Sequence, residues 1–127
     1  MTLNLTEAKR IAEGAVEEAK SLDIRISVAV TDAGGQLILL DRMDGSIWAA
    51  NWGCQAKARG ASAFGAHSQE LDAGDQALLL ESIESGGGGH MVFPGPTGGG
   101  VPIYRDNVLI GACGVGGGTG DEDGQCS

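Results

Sequence analysis

Aromatic residues and positive charge are both scarce in this chain. Phe, Trp and Tyr make up 4% of its 127 residues, and 8 lysines and arginines stand against 17 aspartates and glutamates, for a formal net charge of −9. Single-stranded nucleic acid is held by stacking on rings, and duplexes by neutralised phosphates, so no nucleic-acid partner is expected. Long apolar runs are missing as well. No stretch approaches the roughly 20 apolar residues that span a bilayer. Residues 1–21 carry acids at helical spacing where a secretory leader is apolar throughout. A cytoplasmic chain with no membrane partner is therefore the expectation. Cysteine is limited to Cys54, Cys113 and Cys126 with no Cys-x-x-Cys pair, so free thiols are expected rather than a disulfide framework or structural zinc. At this length there is room for one domain, 1–127, with one core. A 42% apolar content and a mean hydropathy near zero suit a folded chain.

Glycine, by contrast, is abundant. Fourteen of the 23 glycines lie between Gly86 and Gly120, a density that permits positive φ and turns backbone N–H groups toward an anion, at an entropic cost unless the segment packs or binds. Within it, Val101, Ile103 and Val108–Ile110 flank Asp106-Asn107 and read as a β-hairpin. Upstream, Leu5–Leu22 has the helical period. Ala8, Ile11, Ala12, Ala15, Val16, Ala19 and Leu22 form one stripe, Asn4 or Thr6 caps the start, and Glu7 completes a capping box with Asn4. Strands are predicted over Ile24–Thr31 and Gln36–Leu40, joined at Asp32-Ala33-Gly34-Gly35. Ser46 is the expected cap of a second helix ending near Phe64. Short helical pieces at Ser68–Leu71 and Gln76–Ser85, a stop at Gly86–Gly89 and a strand at Met91–Phe93 complete five strands. The glycine-rich acidic tail, 116–127, is expected to lack order unless a partner fixes it.

Taken in order, Val-Ala-Val-Thr-Asp-Ala-Gly-Gly (28–35), Arg-Met-Asp-Gly (42–45), Gln-Ala-Lys-Ala-Arg (55–59), Phe64-Gly65, Gly-Gly-Val-Pro-Ile (99–103) and Ile-Gly-Ala-Cys-Gly-Val (110–115) resemble the GlcG/HbpS family over nearly the whole chain. That family includes proteins encoded with glycolate-utilisation enzymes, haem-binding partners of a sensor kinase and the C-terminal domain of some corrinoid adenosyltransferases. The resemblance implies an α+β fold, a profilin-like three-layer α/β/α arrangement with a five-stranded antiparallel sheet, and homo-oligomers built from dimers. Its members are better known for binding than for any agreed reaction, so fold alone does not name an activity.

Several residue types carry chemistry. Arg42 and Lys57 are cations in an acidic chain, and if they converge on a sheet edge they suit a carboxylate or a haem propionate. The plainer reading pairs them with Asp32, Asp41 or Asp44. Gly98, Gly99 and Gly100, like Gly116–Gly118, offer N–H groups as an anion nest, or serve only as tight turns. His67 and His90 are the only histidines, and His67 is the candidate metal ligand, as an axial donor to haem iron, or a general base. Tyr104 offers a phenol to a pocket or packs in the core with its hydroxyl satisfied. Cys113 reads as buried and inert. Trp48 and Trp52, four apart, read as an interface or a platform for a flat ligand. The favoured function is a small oligomeric binder of an anionic organic ligand, with haem the candidate cofactor. Arg42, Lys57 and Gly98–Gly100 would hold the ligand. The alternative is a cofactor-independent enzyme acting on a small hydroxy-, keto- or aromatic acid, in which His67 or Tyr104 moves the proton and glycine N–H groups stabilise an oxyanion. A purely structural oligomer is the third reading.

Overall fold

The computed structural model describes residues 2–66 and 99–127. Helix α1 spans Leu5–Ser21. Its start follows the local rule: Asn4 Oδ1 accepts the Glu7 N–H at 2.8 Å and Glu7 Oε1 accepts the Asn4 N–H at 3.1 Å. Ala8, Ala12, Ala15 and Ala19 are buried, and side chains this small let the helix lie close to the sheet. Asp23 takes a φ of 56° and the Ile24 N–H bonds back to Ala19 O at 3.0 Å. That bond occupies Ile24 with the helix end, so β1 begins at Ser27, three residues later than expected, and runs to Asp32.

Strand β2, Leu37–Arg42, pairs antiparallel with β1. The turn between them is held by Asp32 Oδ1, which accepts the N–H groups of Gly34 and Gln36, both at 2.9 Å. Strands β3, Gly100–Arg105, and β4, Val108–Gly116, form the second hairpin. Asp106 and Asn107 both have positive φ, 51° and 64°, the backbone that a two-residue turn matching strand twist requires. The sheet order is β2-β1-β4-β3, antiparallel at every pairing. The described residues thus form an α+β fold with a four-stranded antiparallel sheet. The expected helical pieces at Ser68–Leu71 and Gln76–Ser85, the Gly86–Gly89 stop and the strand at Met91–Phe93 lie outside the described residues.

Alternation along β1 builds a helix layer on each face. Val28 packs with Ala12, Ala15 and Ala19 of α1, while Ala29 packs with Cys54, Ala58 and Ala61 of helix α2, Ala49–Phe64. Gly114 sets how closely α2 approaches, because an added Cβ there would stand 1.9 Å from Cys54 O. Ser46 does not cap α2. Trp48 occupies the cap position with no side-chain bond, and Ser46 instead turns its hydroxyl to Ser27 Oγ at 3.2 Å. The tail expectation also needs correction. Gly120–Cys126 forms helix α3, with a capping box of Thr119 and Glu122. Asp123 and Cys126, three apart and so on one helix face, are both buried, and burial rather than composition orders the segment.

Candidate functional site

Lys57 sits mid-helix in α2 with its side chain only 7% exposed. Its Nζ donates to Asp123 Oδ2 at 2.8 Å and to Val115 O at 2.9 Å. Asp123, 3% exposed, accepts the Gly118 N–H at its other oxygen, also at 2.8 Å. The pair joins α2 on one face of the sheet to α3, which lies against α1 on the other: Gln125 bonds Glu18, and Cys126 packs with Ala12, Ala15 and Ala19. Gly99 leaves the gap that the pair fills. Its φ is 115°, and an added Cβ would stand 2.6 Å from Val115 O, 2.9 Å from Asp123 Cβ and 3.1 Å from Lys57 Nζ. Lys57 Nζ and the Gly118 N–H converge on a carboxylate here, whereas the sequence reading paired Lys57 with Arg42. That carboxylate belongs to the chain itself.

Arg42 is elsewhere. Its Nε and Nη2 both donate to Ser46 O, at 3.1 and 2.6 Å, which closes the turn leading into α2. Arg42 on β2 and Val115 on β4 are separated by β1, two strand spacings or roughly 10 Å. Arg42 and Lys57 therefore have separate partners, and neither forms an ion pair with Asp32, Asp41 or Asp44. Tyr104 is half exposed, not packed in the core, and its hydroxyl donates to Gly65 O at 2.7 Å where α2 ends. Gly100 opens β3. His67, His90 and Gly98 lie outside the described residues. Ile47, Trp48 and Trp52 stand 63%, 68% and 54% exposed at the start of α2, an apolar patch that the described chain does not cover.

Burial pushes the Cys54 and Cys113 thiols up to about 12 and that of Cys126 up to about 11. Thiolates are disfavoured in apolar surroundings, so none of the three is a nucleophile at neutral pH. Sequence reasoning missed Asp123 as the partner of Lys57. The signal available was weak: a Thr-x-x-Glu capping pattern at 119–122 with an acid and a cysteine three apart just beyond it.

A family model for haem degrading protein HbpS-like matches residues 3–127. The chain is 34% identical over 110 residues to the protein GlcG of Escherichia coli K12, covering 85% of this chain and 76% of GlcG. It is 29% identical over 124 residues to the corrinoid adenosyltransferase PduO of Salmonella typhimurium, covering 97% of this chain but spanning only 36% of the length of PduO. Among solved structures, the complex of PduOC with heme superposes with a TM-score of 0.80 at 28% identity, covering 99% of this chain and 90% of that one.

Proposed function

This chain belongs to the HbpS-like family, and from that premise we propose that it binds an anionic organic ligand of the haem class, as a cytoplasmic homo-oligomer. The observation that carries the reading is the likeness, over 99% of the chain, to a fold solved with heme. A five-stranded sheet and full profilin-like layering belong to the same reading.

The cations differ in how well they suit a propionate. Arg42 is exposed and spends Nε and Nη2 on one carbonyl, which leaves N–H groups of its five-donor fork for a carboxylate. Lys57 fits poorly. Its ammonium is buried with Asp123, and a propionate would have to displace that carboxylate and leave it unpaired. We therefore assign Arg42 to the ligand and His67 to the haem iron; Gly99 and Gly100, at the opposite edge strand of the sheet from Arg42, are too far away to close on the same carboxylate. Lys57 is moved to holding α3. When bound, haem would supply its iron chemistry, with His67 holding the iron and Arg42 pairing with a propionate. The exposed Ile47, Trp48 and Trp52 support assembly, because rings left this open find partners.

Hemin titration tests the reading. A saturable shift of the Soret band is expected, weakened about tenfold or more by Arg42→Ala, the loss of a charge-assisted hydrogen bond, and abolished or displaced by His67→Ala. A wild-type protein that leaves the hemin spectrum unchanged would overturn it.

A further inference from the structure

One groove plays no part in the haem reading. It lies between the first turns of α1 and the β3–β4 hairpin, open to solvent on one side, with a volume of about 300 Å3. Its floor is four branched apolar side chains, Leu3, Ile11, Ile103 and Ile110, of which Leu3 and Ile110 are buried. Glu7 and Arg105 form an ion pair across the rim and so tie α1 to β3. Both oxygens of Glu7 already accept a hydrogen bond, Oε1 from the Asn4 N–H and Oε2 from Arg105.

Arg10, three residues along the same helix, lines the groove beside Glu7. It makes no hydrogen bond or ion pair among the described residues. Its charge reaches Glu7 only as the weakest of that group's electrostatic influences. Two guanidinium groups therefore face one committed carboxylate at an apolar cleft. Among the residues that line this cleft the net charge is positive, in a chain of net charge −9, which favours an anion over a cation there.

We propose that this groove binds a small carboxylate with an apolar body, an aryl or short branched-chain acid, whose carboxylate pairs with Arg10 while its body covers the isoleucine floor. A planar guanidinium offers a carboxylate two parallel N–H donors, and the floor removes the apolar body from water. Size distinguishes the occupant from haem. A volume of about 300 Å3 stands at the lower end of ligand pockets, roughly 300–1,000 Å3, and suits a single ring rather than a porphyrin. The proposal is independent of the haem reading.

Benzoate is the probe, with benzamide as its neutral counterpart of the same shape, titrated into the full chain carrying labelled isoleucine methyl groups for NMR. Benzoate is expected to give saturable shifts at Ile11, Ile103 and Ile110, and benzamide to bind at least about tenfold more weakly, as loss of a charge-assisted hydrogen bond implies. Arg10→Gln, at an exposed position with no partner among the described residues, should leave the melting curve unchanged. It should also lower benzoate affinity about tenfold and not alter that of benzamide. Shifts centred near Arg42 instead of the isoleucines, or equal benzoate affinity in Arg10→Gln, would overturn the assignment. A hemin titration of the same variant reads the haem site separately, so the two readings can fail independently.

Discussion

Lys57 and Asp123 give the sharpest energetic prediction, because both charges are nearly out of water and each is committed to the other. Lys57→Met leaves the Asp123 carboxylate buried with only the Gly118 N–H, and Asp123→Leu leaves the ammonium with only Val115 O. Removing one partner of a buried pair costs about 3–5 kcal/mol, against about 0–1 for an exposed one. For a chain of this size about 4 °C of Tm corresponds to each kcal/mol, so either change should lower Tm by about 12–20 °C. Lys57→Met combined with Asp123→Leu should be milder than either alone, since no charge remains buried. Urea unfolding followed by far-UV circular dichroism measures all three. Single losses under about 1 kcal/mol, or a double variant that equals the sum of the singles, would refute the claim that this pair holds α3 to α2.

Glycine substitutions should split by environment. Gly14→Ala, with nothing within 4 Å of the added Cβ, should stabilise α1 by about 0.5–1 kcal/mol. Gly114→Ala, whose Cβ would meet Cys54 O at 1.9 Å and Ala58 N at 2.7 Å, should abolish folding or lower Tm steeply. With thiol values raised to about 11 and 12 by burial, no cysteine should react with a disulfide reagent at pH 8 in the native protein, and all three should react in urea. Glu7 is held below the ordinary carboxylate value of 4.5, first by the Asn4 N–H, with Arg105 adding to this. A depressed value means stability present above 4.5 and lost as pH falls through the folded value, so Glu7→Gln should flatten the decline in Tm below about pH 4.5. Light scattering should show an oligomer that Trp48→Ser with Trp52→Ser disperses.

What the sequence determined by itself was local. Asn4 and Glu7, three apart, were enough to start α1. Asp106-Asn107 was enough to turn the second hairpin, because only residues tolerant of positive φ fit there. The alanine stripe of α1 announced which face of that helix is buried, whereas β1 is buried on both faces. Where the competing forces were tertiary, the sequence misled. Ser46 has the chemistry of a helix cap, yet Ser27 and Arg42 claim it. The tail has the composition of a disordered segment, yet Asp123 and Cys126 are buried. Lys57 and its partner are 66 residues apart, and Glu7 and Arg105 are 98 apart. No spacing rule reaches that far. Which charges pair, and which cation is left to meet a ligand, depends on how the elements close over one another, since burial removes the water that would otherwise serve any of them equally well.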